Sequence, residues 1–128
     1  MLVRMQSLLN FTNFYEMVKG QKLNIKTAYK LTQLARAVEI ELQFYQDKMK
    51  SIINEYSLLD ENGKPIQLEN GEGVKIRPGT EEECYKAIFE LQSIEVTLPD
   101  IQFTFEEFTN VEITVEQMSA IIPFLKDE

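Results

Sequence analysis

The sequence predicts a small α+β domain in which shorter helices pack on one long amphipathic helix, with a polar β-hairpin and a small antiparallel sheet. Three observations predict it. Apolar residues from Ala28 to Tyr56 alternate at spacings of three and four, and no glycine or proline interrupts residues 21–62. Two glycine-containing turns then bracket short alternating segments over 64–77. Residues 94–108 alternate apolar with polar, the period of a strand with one buried face. A chain of 128 residues fits one domain, 1–128, and can bury roughly two-thirds of its unfolded surface, enough for a core without disulfides.

Residues 1–20 hold an N-terminal helix over 3–18, with Met5, Leu8, Leu9, Phe11, Phe14, Tyr15 and Val18 forming a broad apolar stripe and Gly20 ending it. Core packing is the simpler role for Phe11, Phe14 and Tyr15; an exposed recognition patch is the other. The long helix spans 25–57, about 50 Å at 1.5 Å per residue. Its seam runs through Ala28, Leu31, Ala35, Val38, Leu42, Tyr45, Met49, Ile52 and Tyr56, and Leu34, Ala37, Phe44 and Ile53 widen it. A widened stripe suits a bundle or a helix on a sheet better than a two-stranded coiled coil. Wet, the seam would forfeit about 25 cal/mol per Å². Either the helices at 3–18 and 81–93 fold back over it, or a second copy or another protein covers part of it. The candidate partner interface is therefore Leu31, Val38, Leu42, Tyr45, Met49, Ile52 and Tyr56.

Asp60-Glu61-Asn62-Gly63 is a turn sequence, Lys64 to Leu68 an edge strand holding Pro65, and Glu69-Asn70-Gly71-Glu72-Gly73 a second turn. Val74 to Arg77 completes a hairpin over 64–77. Thr80 and Glu83 have capping-box spacing and open a helix over 80–93, antiparallel to the long one, with Cys84, Ala87, Ile88 and Leu91 buried. Residues 94–125 hold one or more strands, with Ile101, Phe103 and Phe105 on one side, and a short helix opened by a second box at Thr114 and Gln117.

The chemistry available is narrow. With no histidine, the commonest general base and metal ligand are missing, and Ser-His or Cys-His nucleophile pairs cannot form. Neither a P-loop nor a dinucleotide-binding glycine pattern occurs. Glu81, Glu82 and Glu83 read as a helix start favoured by the dipole, and Glu106 and Glu107 as the wet side of a strand. Cys84 lies on an apolar stripe and reads as a structural thiol. Hence no catalytic, cofactor-binding or metal-binding residue is assigned, and the chain is expected not to be an enzyme. No apolar run approaches the ~18 residues of a membrane span, and the first residues lack a signal-peptide pattern, so a cytoplasmic protein is expected.

The net charge of −8 is uneven: residues 1–80 carry 11 basic and 9 acidic side chains, a net of +2, and 81–128 carry 2 and 12, a net of −10. That acidic end repels phosphate, so no nucleic-acid partner is expected. Glu81, Glu82, Glu106 and Glu107 form the candidate acidic patch.

Ala28-Tyr29-Lys30-Leu31 opens the long helix, Asp60-Glu61-Asn62-Gly63 follows it, and Val111-Glu112-Ile113-Thr114-Val115-Glu116-Gln117-Met118 precedes Phe124-Leu125. In this order of signals, over about residues 23–125, the chain resembles a family of small uncharacterised proteins encoded by phages and prophages of Gram-positive bacteria. The resemblance implies a host-cytoplasmic or virion location and transfers no functional residue. With the seam, it suggests a non-catalytic phage protein working through a protein partner or self-association, as an assembly or virion accessory component. The acidic end suggests instead an inhibitor of a bacterial defence system or another host enzyme. The order helix, hairpin, helix suggests a prefoldin-like chaperone clamp.

Overall fold

A computed structural model describes residues 1–126; the end of the charged tail, 127–128, lies outside the described residues. Among the described residues, four α-helices and a two-stranded antiparallel sheet make an α+β fold. Strand β1, Leu2–Arg4, runs directly into helix α1, Met5–Val18. Met5, Leu8, Phe11, Phe14 and Val18, spaced by three or four, are all buried, so the spacing sets the inward face. Helix α2, Ile25–Tyr56, is a single helix of 32 residues, as its uninterrupted pattern predicts. The side chain of Asn24 accepts from the Lys26 amide at 2.9 Å, satisfying one of the free donors at the start of α2. Then come α3, Glu81–Gln92, strand β2, Glu95–Thr97, and α4, Val115–Ile121.

The chain divides into two compact units, Met1–Leu42 with the chain from Glu95 onward, and Gln43–Ile94. In the first, β1 pairs with β2 in the register Leu2 to Thr97, Val3 to Val96 and Arg4 to Glu95. Val3 and Val96 point inward and are buried. Helix α1 packs on α4, and the aromatic core is built from edge-on pairs: Phe11 with Phe124 at 5.3 Å and Phe14 with Phe108 at 5.6 Å between ring centres. Leu31, Leu34 and Val38 of α2 are buried here. Phe11 and Phe14 are thus core residues.

The strand expected over 101–105 does not form. Phe103 makes one parallel bridge, to Leu125, and Phe105–Phe108 winds into a 3-10 turn that leaves Phe105 61% exposed. The reason is local: the Glu107 carboxylate accepts from the Thr104 amide at 3.0 Å, half of a capping box, and turns the chain before a ladder can extend.

In the second unit, three short segments pair with one another. Bridges join Ser57 to Ile76, Leu59 to Pro65 and Gln67 to Val74. The Leu58 amide donates to Lys75, the Lys75 amide to Ile66, and the Ile66 amide to Leu58, so each segment is bonded to both others. The expected hairpin is present with Ser57–Leu59 added to it. Asp60 holds the first turn by accepting from the Asn62 and Lys64 amides, and Gly63 takes the left-handed conformation, φ 76°, that the turn requires. Arg77 donates its backbone amide to Tyr56 and its guanidinium to the Glu55 carbonyl, satisfying acceptors at the end of α2. The capping box expected at Thr80 is absent: its hydroxyl donates to the Arg77 carbonyl at 2.8 Å, while Glu81 accepts from the Gly79 amide at 2.9 Å. The box at Thr114 is present, with Gln117 and Thr114 exchanging bonds of 3.1 and 2.9 Å.

Candidate interaction surfaces

The first unit carries an open groove of about 940 Å³ between the start of α2, from Lys22 to Gln33, and the segment Thr104–Asn110. At its floor Glu107 accepts from Lys30 at 2.7 Å, from the Thr27 hydroxyl at 2.8 Å and from the Thr104 amide. Lys30 also donates to the Gln102 carbonyl and lies 4.9 Å from the centre of the Phe103 ring. Burial works against ionising Glu107, but the bonds from Lys30, Thr27 and Thr104 outweigh it and hold the carboxyl below its usual range. Both oxygens are engaged, so this carboxylate is a tie rather than an acid waiting to give a proton. Among the described residues, no group of three or more His, Cys, Asp or Glu side chains is placed to hold a metal. No helix there is long and apolar enough to cross a membrane.

The seam residues divide. Leu31 and Val38, 3% and 2% exposed, belong to the first unit's core and are closed to a partner. Leu42, Tyr45, Met49, Ile52 and Tyr56 are half-buried. Tyr56 lies near the start of α3: burial, with Glu55 and Glu83, pushes its hydroxyl up. Cys84 is buried, which raises its thiol and makes it a poor nucleophile. Of the candidate acidic patch, Glu81 and Glu82 stand on α3 in the second unit. Glu106 and Glu107 belong to the first unit, where Glu107 is taken up by Lys30.

Two exposed faces were not singled out by the sequence. On α3, Cys84 and Leu91 are buried, and Tyr85 and Phe89, one turn apart on the other side, are 64% and 67% exposed. The same helix carries Glu81, Glu82, Glu83 and Glu90, with Lys86 as the one cation, a net of −3 for α3. On α2, Ile25, Tyr29 and Ile40 are 83%, 63% and 73% exposed and fall with Arg36 within about 60° of helix surface, opposite Leu31, Leu34 and Val38. Lys22 and Lys26 flank that stripe. A helical projection would have located both faces, because these residues sit off the buried stripes; periodicity alone gave no reason to look there. The chain matches no family model, and no curated protein or solved structure matches it.

Proposed function

We propose that this protein works by protein–protein contact rather than by catalysis, through the outward face of α3. One observation carries the reading: Tyr85 and Phe89 lie one turn apart in solvent on a helix that carries four glutamates and one lysine. Aromatic anchors with a charged surround are how interfaces combine burial energy with choice of partner. The charge of α3 selects a basic, partly apolar surface. Among settings for such a contact, an assembly or virion accessory role in a phage is the one the family resemblance supports.

The test is light scattering of about 1 μM purified protein with phage head and tail structural proteins, one at a time, a concentration that detects complexes of useful affinity. A complex is expected with at least one of them, and Tyr85→Ser with Phe89→Ser should abolish it. Failure to bind any of them contradicts the assembly role. The inhibitor reading uses the acidic C-terminal part, with Glu81, Glu82, Glu106 and Glu107; clearance of the phage by a defence-bearing host, unchanged by deleting the gene, would end it.

A further inference from the structure

We infer that a partner of the α3 face is a second copy of this chain, docked through its exposed α2 stripe of Ile25, Tyr29, Arg36 and Ile40; this rests on the contact reading above. The two faces are complementary in both respects that matter. Each presents apolar side chains more than 60% exposed: Tyr85 and Phe89 on one, Ile25, Tyr29 and Ile40 on the other. Their charges are opposite in sign: α3 carries four glutamates and one lysine, and the α2 stripe holds Arg36 with Lys22 and Lys26 beside it against the exposed Glu39, a net of +2. The ion pairs found among the described residues, Lys19 with Glu16 and Lys30 with Glu107, use none of these charges. Lys26, Arg36, Glu82 and Glu90 are therefore free to pair across a contact. Packing α3 on α3 would oppose glutamate to glutamate, whereas the α2 stripe, with three cations to one acid, answers that charge. The second copy must present the other face, which makes the contact heterologous, with each copy able to offer one free face of each kind. Few large side chains are involved, so the contact belongs at the small end of protein interfaces, below about 1,200 Å², and with micromolar affinity.

Sedimentation velocity of the full chain from about 10 to 500 μM reads this range directly. The wild-type sedimentation coefficient should rise with concentration. Raising salt from about 0.05 to 0.5 M should weaken the association at least severalfold. Glu82→Lys with Glu90→Lys, and separately Lys26→Glu with Arg36→Glu, should each weaken it about tenfold or more. An equimolar mixture of those two variants should associate again, because each then supplies the face the other lacks. Tyr85→Ser with Phe89→Ser provides a charge-neutral loss, and circular dichroism checks that each variant keeps its helices. A wild type that stays monomeric throughout, or a mixture that stays as dissociated as its components, overturns the inference. Binding of phage structural proteins is measured near 1 μM, where copies are apart, so that reading stands or falls separately.

Discussion

Glu107 shows how a single side chain decides local structure here. It lies in a stretch whose alternation reads as a strand, yet its carboxylate gathers the Lys30 ammonium, the Thr27 hydroxyl and the Thr104 amide. The chain turns around it and joins α2 to the segment before α4. Removing a charged acceptor from such a group leaves a half-buried lysine and a buried hydroxyl unsatisfied, which costs about 1–3 kcal/mol. Glu107→Gln is expected to lower stability in urea by about that much at neutral pH. Because the folded carboxyl is held below its usual range, the folded state binds fewer protons than the unfolded state as pH falls. The contribution is complete above the ordinary glutamate pKa of about 4.3 and is lost as pH drops through the lower folded value. The gap between wild type and variant should therefore narrow in acid; a gap that stays constant down to pH about 2 would deny Glu107 this role. Thr27 offered a hint of the tie, a polar residue in line with Leu31 and Leu34, but which acid would meet it lies some eighty residues away and has no local signature.

At the level of elements, two threonines with the same sequence pattern behave differently. Thr114 caps α4 and exchanges bonds with Gln117, whereas the Thr80 hydroxyl turns back to Arg77 and Glu81 serves the Gly79 amide. Thr114→Ala is expected to cost about 1 kcal/mol in thermal or urea unfolding, and Thr80→Ala clearly less. Equal losses would mean that both are caps. The same contrast explains what could be read in advance. Helix α2 was legible because nothing between Ile25 and Tyr56 breaks a helix, and the turn at Asp60–Gly63 because its residues carry their own conformational preference. The pairing of β1 with β2 was not, since Leu2–Arg4 is a three-residue strand whose partner, Glu95–Thr97, is remote in sequence. The strand at 101–105 was misread because alternation reports which side chains are apolar. It does not report whether a neighbouring strand exists to complete the ladder. For the same reason the seam pattern marked Leu31 and Val38 as candidates for a partner, although the first unit buries them, and passed over Tyr85 and Phe89.

For the whole molecule, burial and charge point the same way. In the unit Gln43–Ile94 the buried residues are Ser57, Cys84 and Leu91, while Leu59, Leu68, Tyr85 and Phe89 are 40% or more exposed. Aromatic area that stays exposed contributes little to the chain's own folding. Kept in solvent on an acidic helix, Tyr85 and Phe89 make sense as contact residues. Photocrosslinking from that face is the most direct check. With p-benzoylphenylalanine placed at Tyr85 or at Phe89 in the cell that makes the protein, irradiation should yield discrete protein adducts, and the same probe at the half-buried Tyr45 should yield few or none. Strong adducts from position 45 with none from 85 or 89 would contradict the proposal that this protein works through the outer face of α3.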